Sequence, residues 1–250
     1  MLTAFSGGVD STVVAAAARL VLGRDHAPAA IGDSASLPRR ELDSARGLAR
    51  RLDLHLIEIQ PGEQADADYQ ANAGNRCYFC KTHLYTAMHS LARSLDIAFI
   101  ANGTNTDDLG DYRPGLAAAD EAQVISPLLE AHLSKSDVRA IAAHLGLPNA
   151  DKPAAACLAS RIPVGTPVTA RRLSMIEQAE DALIEMGFTG VRVRHHETLA
   201  RIEVPLDQLP RIMEPAVRTA VVDRLIAVGF VHVTIDLAGY RMGSVSRPPG

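Results

Sequence analysis

Apolar residues in the first hundred positions come in short bursts separated by longer amphipathic stretches. Residues 2–5, 29–31, 54–59 and 98–101 are too short for helices and apolar enough for buried strands. Residues 13–22, 39–52 and 81–95 carry helix-forming side chains between them. Strands alternating with helices predict an α/β fold, a parallel sheet covered on both faces. Another helix is expected over 138–145, ended by Gly146 and Pro148. From 151 to 167 the text turns to Pro, Gly and small residues, which reads as an ordered active-site loop and a domain junction.

Beyond that junction the rhythm changes. A helix over 171–186 stops at Gly187, two short strands cover 191–195 and 199–204, a helical stretch over 209–228 breaks at Pro215, and a strand covers 231–237. The pattern predicts a small α+β module with an antiparallel sheet. The expected domains are residues 1–165 and 166–250.

Composition narrows the function classes. No run reaches the roughly 18 uninterrupted apolar residues of a spanning helix, so a membrane role is not expected. Met1-Leu2-Thr3-Ala4-Phe5 has neither a basic n-region nor a cleavage site, which points to the cytoplasm. The 25 Lys and Arg against 29 Asp and Glu leave a net charge of -4, without the basic excess of a nucleic-acid binder. From Arg161 onward every cation is Arg, a residue suited to forked contacts with phosphate or carboxylate, although codon bias accounts for most of them. Three Cys, two in a C-x-x-C, suit metal binding or sulfur chemistry better than a disulfide framework.

Ser6-Gly7-Gly8-Val9-Asp10-Ser11-Thr12, between a strand and a helix, gathers backbone N–H groups and a helix N-terminus where a polyphosphate can sit. Gly7 and Gly8 allow close approach, Asp10 is the candidate Mg²⁺ ligand, and Ser6, Ser11 and Thr12 offer hydroxyls. No Gly-Lys-Ser/Thr follows, which argues against γ-phosphate transfer. On these residues the chain resembles the PP-loop ATP pyrophosphatase superfamily. The resemblance implies an adenine nucleotide alpha hydrolase-like sheet, with ATP and Mg²⁺ as cofactors, cleavage between the α- and β-phosphates, and an adenylated substrate. Asn102 and Gly103, opening Asn102-Gly103-Thr104-Asn105-Thr106-Asp107-Asp108 after a strand, are assigned to the ATP site, as is Ser34.

Asn75-Arg76-Cys77-Tyr78-Phe79-Cys80-Lys81 and Ala156-Cys157-Leu158-Ala159-Ser160-Arg161 hold every cysteine of the chain. Three thiolates are one short of a closed zinc site and suit a [4Fe–4S] cluster with one open iron; burial as small hydrophobes is the bland alternative. Together with Asp111-Tyr112-Arg113-Pro114-Gly115, Lys152-Pro153-Ala154, Val191-Arg192-Val193-Arg194-His195, Ala200-Arg201-Ile202-Glu203 and Gly239-Tyr240-Arg241, these motifs resemble the LarE family over essentially the whole chain. That family is an ATP-dependent sulfur transferase of nickel-pincer nucleotide biosynthesis. The resemblance implies a small-molecule substrate, pyridinium-3,5-biscarboxylic acid mononucleotide, whose carboxylates are adenylated and become thiocarboxylates. It implies two routes for sulfur, a three-Cys cluster on Cys77, Cys80 and Cys157 or the sacrifice of one Cys, and the C-x-x-C favours the first. The sulfur donor stays open, and copies of the chain itself are the expected macromolecular partner.

Asp10 and Cys157 are the candidate catalytic residues, joined by Ser160 and Arg161 beside the adenylated carboxylate or the phosphate. Arg192 and Arg194, two apart on one strand face, form a candidate phosphate clamp. Asp111 and Arg113 are expected to order a loop over the site. Arg201 and Glu203 are left between an ion pair and a ligand role, and His195 and His196 are read as ordinary strand-end residues. The competing readings are a tRNA thiolase, an NAD- or GMP-synthetase-like amidotransferase, and a non-catalytic zinc- or nucleotide-binding module.

Overall fold

The computed structural model describes residues 1–110 and 114–240. Asp111 and Arg113, expected over the site, and Arg241 of the last motif lie outside the described residues. The chain divides into two compact units, Met1–Tyr69 with Asn75–Ala155, and Gln70–Gly74 with the residues from Ala156 onward. No described helix is long and apolar enough to cross a membrane.

In chain order the first part runs β1 (Leu2–Ala4), α1 (Val9–Leu22), β2 (Ala29–Gly32), α2 (Arg39–Arg51), β3 (Leu56–Ile59), α3 (Ala67–Ala71), α4 (Arg76–Ser94), β4 (Ile100–Ala101), α5 (Pro114–Glu121), α6 (Pro127–Glu130) and α7 (Lys135–His144). The four strands form one parallel sheet in the order β3-β2-β1-β4. Both faces are buried. Ala29 and Ile31 join Phe5, Leu42, Ala45 and Leu48 in one core, whereas Ala30, between them, joins Leu2, Tyr85, Met88 and Ile100 in another. A third core packs Val9 and Val13 of α1 on Val138 and Ala142 of α7. Strand order reverses direction between β1 and β4, so the loops leaving their C-terminal ends diverge and open a crevice, the usual ligand position in such sheets.

Boundaries depart from the apolar pattern where caps override it. α1 starts at Val9 because Gly8 is extended and serves as its N-cap. α4 starts at Arg76, ahead of the expected 81, so Cys77 and Cys80 both lie inside its first turns.

The second unit carries α8 (Ala170–Glu185), β5 (Arg192–His196), β6 (Leu199–Glu203), α9 (Leu209–Met213), α10 (Pro215–Val228) and β7 (His232–Ile235). The helical break expected at Pro215 falls between α9 and α10. The expected antiparallel sheet is corrected: β5 and β6 form a hairpin, but β7 pairs with β6 in parallel. α9 and α10 supply the crossover that a parallel pair requires. Val193, Ala200 and Ile202 turn one sheet face onto Leu183, Phe188, Leu225 and Phe230. Residues 157–161 belong to this unit, so it begins before position 165. Asn72 holds residues 70–74 to the same unit, donating to the carbonyls of Pro163 (2.8 Å) and Thr166 (3.0 Å).

Candidate functional site

The loop after β1 is built for close approach. Gly7 has φ +70°, and a Cβ there would stand 3.0 Å from the Ala45 Cβ, so α2 lies against the loop and only glycine fits. Gly8 caps α1 without a side-chain bond, which leaves first-turn amides of α1 for an outside acceptor. The hydroxyls expected to face oxygens divide their roles. Thr12 Oγ1 donates to the Gly8 carbonyl at 2.8 Å and accepts from Asn149 at 2.9 Å, and Ser11 Oγ donates to the same carbonyl at 3.1 Å. Ser6, at the loop's exposed edge, shares a hydrogen bond with Ser11 at 3.1 Å. Thr12 and Ser11 therefore brace the loop from within, and Asn149, which also donates to the Gly7 carbonyl at 3.2 Å, braces it from outside.

The loop after β4 meets it directly. A Cβ on Gly103 would stand 2.7 Å from the Ser11 nitrogen, so Asn102 to Asn105 can pass only because position 103 is glycine. Asn105, 2% exposed, donates to Asp10 Oδ1 at 3.1 Å. The other carboxylate oxygen of Asp10 accepts from Lys135 Nζ. Asn102 turns inward, its Oδ1 accepting from Thr104 N at 2.9 Å and Ser126 Oγ at 3.0 Å. One carboxylate at a phosphate loop suits Mg²⁺, which takes one or two carboxylates and completes its shell with phosphate and water. Beyond β2, Ser34 Oγ donates to the buried Glu63 and lies 2.9 Å from Ser36 Oγ. On the α2 side of the loop a cleft of about 530 Å³ is lined by Gly7, Ser44, Arg51, Asn149 and Lys152, and Lys152 pairs with Glu41 at 2.7 Å.

Cys77 and Cys80 are three apart on α4, hence on one face, with Cys77 exposed and Cys80 half-buried. Lys81 follows, its ammonium 5.8 Å from the Tyr85 ring centre. His83, one turn on, bonds Asp66 at 2.6 Å and holds that carboxyl below its ordinary range. No described residues form a disulfide, and no three described His, Cys, Asp or Glu side chains are grouped to hold a metal. The three cysteines are thiols, the ligand type an iron–sulfur cluster takes, and are one fewer than its usual four.

In the second unit Cys157 is exposed, yet its backbone is pinned. The Cys157 carbonyl accepts from Ser160 Oγ at 2.7 Å and from Arg161 Nη1 at 2.9 Å, and Arg161 Nη1 also reaches the Ala156 carbonyl at 2.8 Å. Arg161, 1% exposed, forms a forked pair with the fully buried Glu180, Nε to Oε1 at 2.9 Å and Nη2 to Oε2 at 3.2 Å. Burial pushes the Glu180 carboxyl up, but the charge and hydrogen bonds of Arg161 outweigh it, and the result lies below the ordinary value. Glu180 Oε1 in turn accepts from Val193 N at 3.1 Å, which ties the cysteine loop to β5.

β5 does not present Arg192 and Arg194 as one clamp. Arg194 is buried and forked onto Glu203 (3.0 and 2.7 Å), with Nη1 donating to the Ser160 carbonyl at 3.1 Å. Arg201 joins the same carboxylate at 3.2 Å, so the pair left open between ion pair and ligand is an ion pair here. Arg192 donates to the Val191 carbonyl at 2.7 Å and lies 5.1 Å from the Tyr240 ring centre; among the described residues it pairs with no carboxylate. Burial, then the charge of Arg161, pulls its pKa below the ordinary value, and the charge of Glu180 offsets only part of this. Sequence reasoning missed Lys135, Asn149 and Glu180. The only local signal was Lys135 at the first position of a helix, where a cation opposes the helix dipole.

The family model for NAD synthase matches residues 1–163. The chain is 43% identical over 246 residues to an uncharacterized protein, slr1717, of Synechocystis sp., covering 98% of this chain and 91% of that protein. It is 37% identical over 243 residues to the pyridinium-3,5-bisthiocarboxylic acid mononucleotide synthase of Lactiplantibacillus plantarum, covering 97% and 87%. It is 30% identical over 170 residues to an uncharacterized protein, MJ0830, of Methanocaldococcus jannaschii, covering 68% and 66%.

Proposed function

The chain belongs to the LarE family of PP-loop enzymes, which includes pyridinium-3,5-bisthiocarboxylic acid mononucleotide synthase, and from that premise we propose that it adenylates and then thiolates the carboxylates of pyridinium-3,5-biscarboxylic acid mononucleotide. The observation that carries the reading is the 6–12 loop at the crevice between β1 and β4, with the Asp10 carboxylate in its first helical turn.

ATP rests its phosphates on the amides of that loop. A substrate carboxylate oxygen attacks the α-phosphorus, the bond to the bridging oxygen breaks, and pyrophosphate leaves with the electron pair. Asp10 would hold the Mg²⁺ that accompanies the phosphates and offsets their charge. Sulfur then attacks the acyl carbon, and AMP departs with the former carboxylate oxygen. Arg192 binds the mononucleotide phosphate, whereas Arg161 and Arg194, committed to Glu180 and Glu203, hold the Cys157 loop and β5 in position. Ser160, between the two, turns its hydroxyl to the Cys157 carbonyl.

For the sulfur, Cys77, Cys80 and Cys157 would hold a [4Fe–4S] cluster, which would supply an iron open to sulfide. Reduced thiols suit the cytoplasm, and the small mononucleotide and further copies of the chain complete the expected partners.

The test is anaerobic turnover followed by intact-protein mass. With a cluster, protein reconstituted to about four iron per chain turns over repeatedly on added sulfide, keeps its mass, and loses iron and thiolation together in each single Cys→Ala variant. A single turnover that leaves Cys157 lighter by one H₂S contradicts the cluster and assigns the sulfur to that residue. The match to the NAD synthase model favours one other product, a carboxamide formed from ammonia, and finding it in place of the thiocarboxylate would overturn the proposal.

A further inference from the structure

The Gly7 carbonyl depends on one donor. Among the described residues only Asn149 Nδ2 reaches it, at 3.2 Å, while the same nitrogen donates to Thr12 Oγ1 at 2.9 Å. We infer that Asn149 is the positioning residue that sets which way the Gly7–Gly8 peptide faces, and so presents the Gly8 amide to pyrophosphate. The inference rests on the reading of residues 6–12 as a pyrophosphate loop.

A trans peptide points its carbonyl and its N–H in opposite directions. With the Gly7 carbonyl drawn to Asn149, the Gly8 N–H faces the other side, where it donates to the hydroxyl of the exposed Ser6 at 3.3 Å. That bond is longer than a usual N–H···O contact, and an anion can displace it. Nothing in the two glycines themselves fixes this choice. Neither has a Cβ to oppose rotation of the peptide between them, and Gly7 already stands at φ +70°. A rotated peptide would turn the Gly7 carbonyl toward the phosphates and the Gly8 amide away from them. The next carbonyl, on Gly8, needs no such help, since it accepts from the nitrogen and Oγ1 of Thr12 and from Ser11 Oγ.

Asn149 is held too firmly to follow a rotated peptide. It is 8% exposed, and the turn around it is fixed at two points. Arg139 donates to the carbonyls of Ala150 at 2.7 Å and Lys152 at 3.2 Å, and Lys152 pairs with Glu41 at 2.7 Å. The Asn149 Oδ1 is buried with no partner among the described residues. A buried acceptor left idle costs stability, so what this side chain contributes lies in its two N–H groups.

Calorimetric titration with magnesium pyrophosphate at several pH values tests this on the wild type, Asn149→Ala and Asn149→Asp. Asn149→Ala removes the donor and should weaken binding about tenfold. Asn149→Asp keeps the shape but, when ionised, only accepts. It repels the Gly7 carbonyl and draws the Gly8 amide toward itself, so its loss should exceed that of Asn149→Ala. Burial raises the pKa of such a carboxyl, and its protonated form donates again. The affinity of Asn149→Asp relative to the wild type at the same pH should therefore recover as pH falls, and that of Asn149→Ala should not. Folded variants that bind like the wild type overturn the role of Asn149 and leave the loop reading intact. Equal losses in both variants with no recovery at low pH also overturn it, because lost packing alone would give that result. Should neither variant fold, wild type labelled with ¹⁵N-glycine decides: the Gly8 amide resonance should move on adding magnesium pyrophosphate, and one that stays in place overturns the inference. A wild type that binds no magnesium pyrophosphate overturns the loop reading and this inference with it.

Discussion

Arg192 and Arg194 face the same side of β5, yet their substitutions should differ in kind. Arg194→Ala leaves Glu203, fully buried, without its forked partner, and removing one member of a buried pair typically costs about 3–5 kcal/mol. A thermal melt should show a clear loss of stability. Arg192→Ala leaves the buried Glu180 its forked partner Arg161, so the melt should hold while mononucleotide affinity falls by about 1.5–3 kcal/mol. The reverse outcome would exchange the two assignments. Spacing alone could show only that both side chains share a face. The residue directly across from Glu203 is Arg192, but the diagonal Arg194 makes the bond, a choice set by packing in three dimensions. The loop of residues 6–12 was legible because its pattern lies in seven consecutive residues, whereas the contacts of Asp10 with Asn105 and Lys135 come from distant parts of the chain. Asp10→Ala should abolish most ATP cleavage with the fold kept, and a variant that retains wild-type cleavage would remove Asp10 from the site.

At the scale of elements, the loop after β4 is placed by a single glycine. Gly103→Ala pushes a methyl into the Ser11 amide and the Asp10 backbone, and overpacking of this kind costs about 1–3 kcal/mol. Because the strain falls on the phosphate loop, ATP affinity should fall with stability; a variant that is less stable but binds ATP normally would separate the two loops. The four strands and the helices α1, α2, α4 and α7 of the first unit were readable since each carries its own period, whereas the short α3, α5 and α6 were not read, being too short to show one. The parallel pairing of β7 was not, because direction depends on what crosses between two strands, and α9 with α10 reads equally well as a long hairpin connection. The early start of α4 was hidden in the same way, by first-turn residues with no apolar rhythm.

For the molecule as a whole, pH should act on the second unit before it reaches the carboxylates. Burial lowers the pKa of His195 and His196 below the ordinary histidine value, with Arg172 adding to the first and Arg201 to the second. A histidine depressed by folding takes up its proton more readily when unfolded. Its contribution is whole above the unfolded pKa of about 6.5 and is lost as pH falls from there toward the lowered folded value. Melting temperature should therefore drop between about pH 7.5 and 5.5, and His195→Leu should flatten that slope, since His195 is 2% exposed with Nδ1 unpartnered among the described residues. An identical slope in the variant would place the sensitivity elsewhere.

The claim on which the rest depends is adenylation of a carboxylate, and the fate of one oxygen tests it most directly. The mononucleotide dicarboxylate is labelled with ¹⁸O in its carboxylates, turned over with ATP and a sulfur source, and the nucleotide products are weighed by mass spectrometry. If the carboxylate attacks the α-phosphorus, AMP carries one ¹⁸O for each thiocarboxylate formed and pyrophosphate carries none. Unlabelled AMP, or ADP with labelled phosphate, would contradict the account.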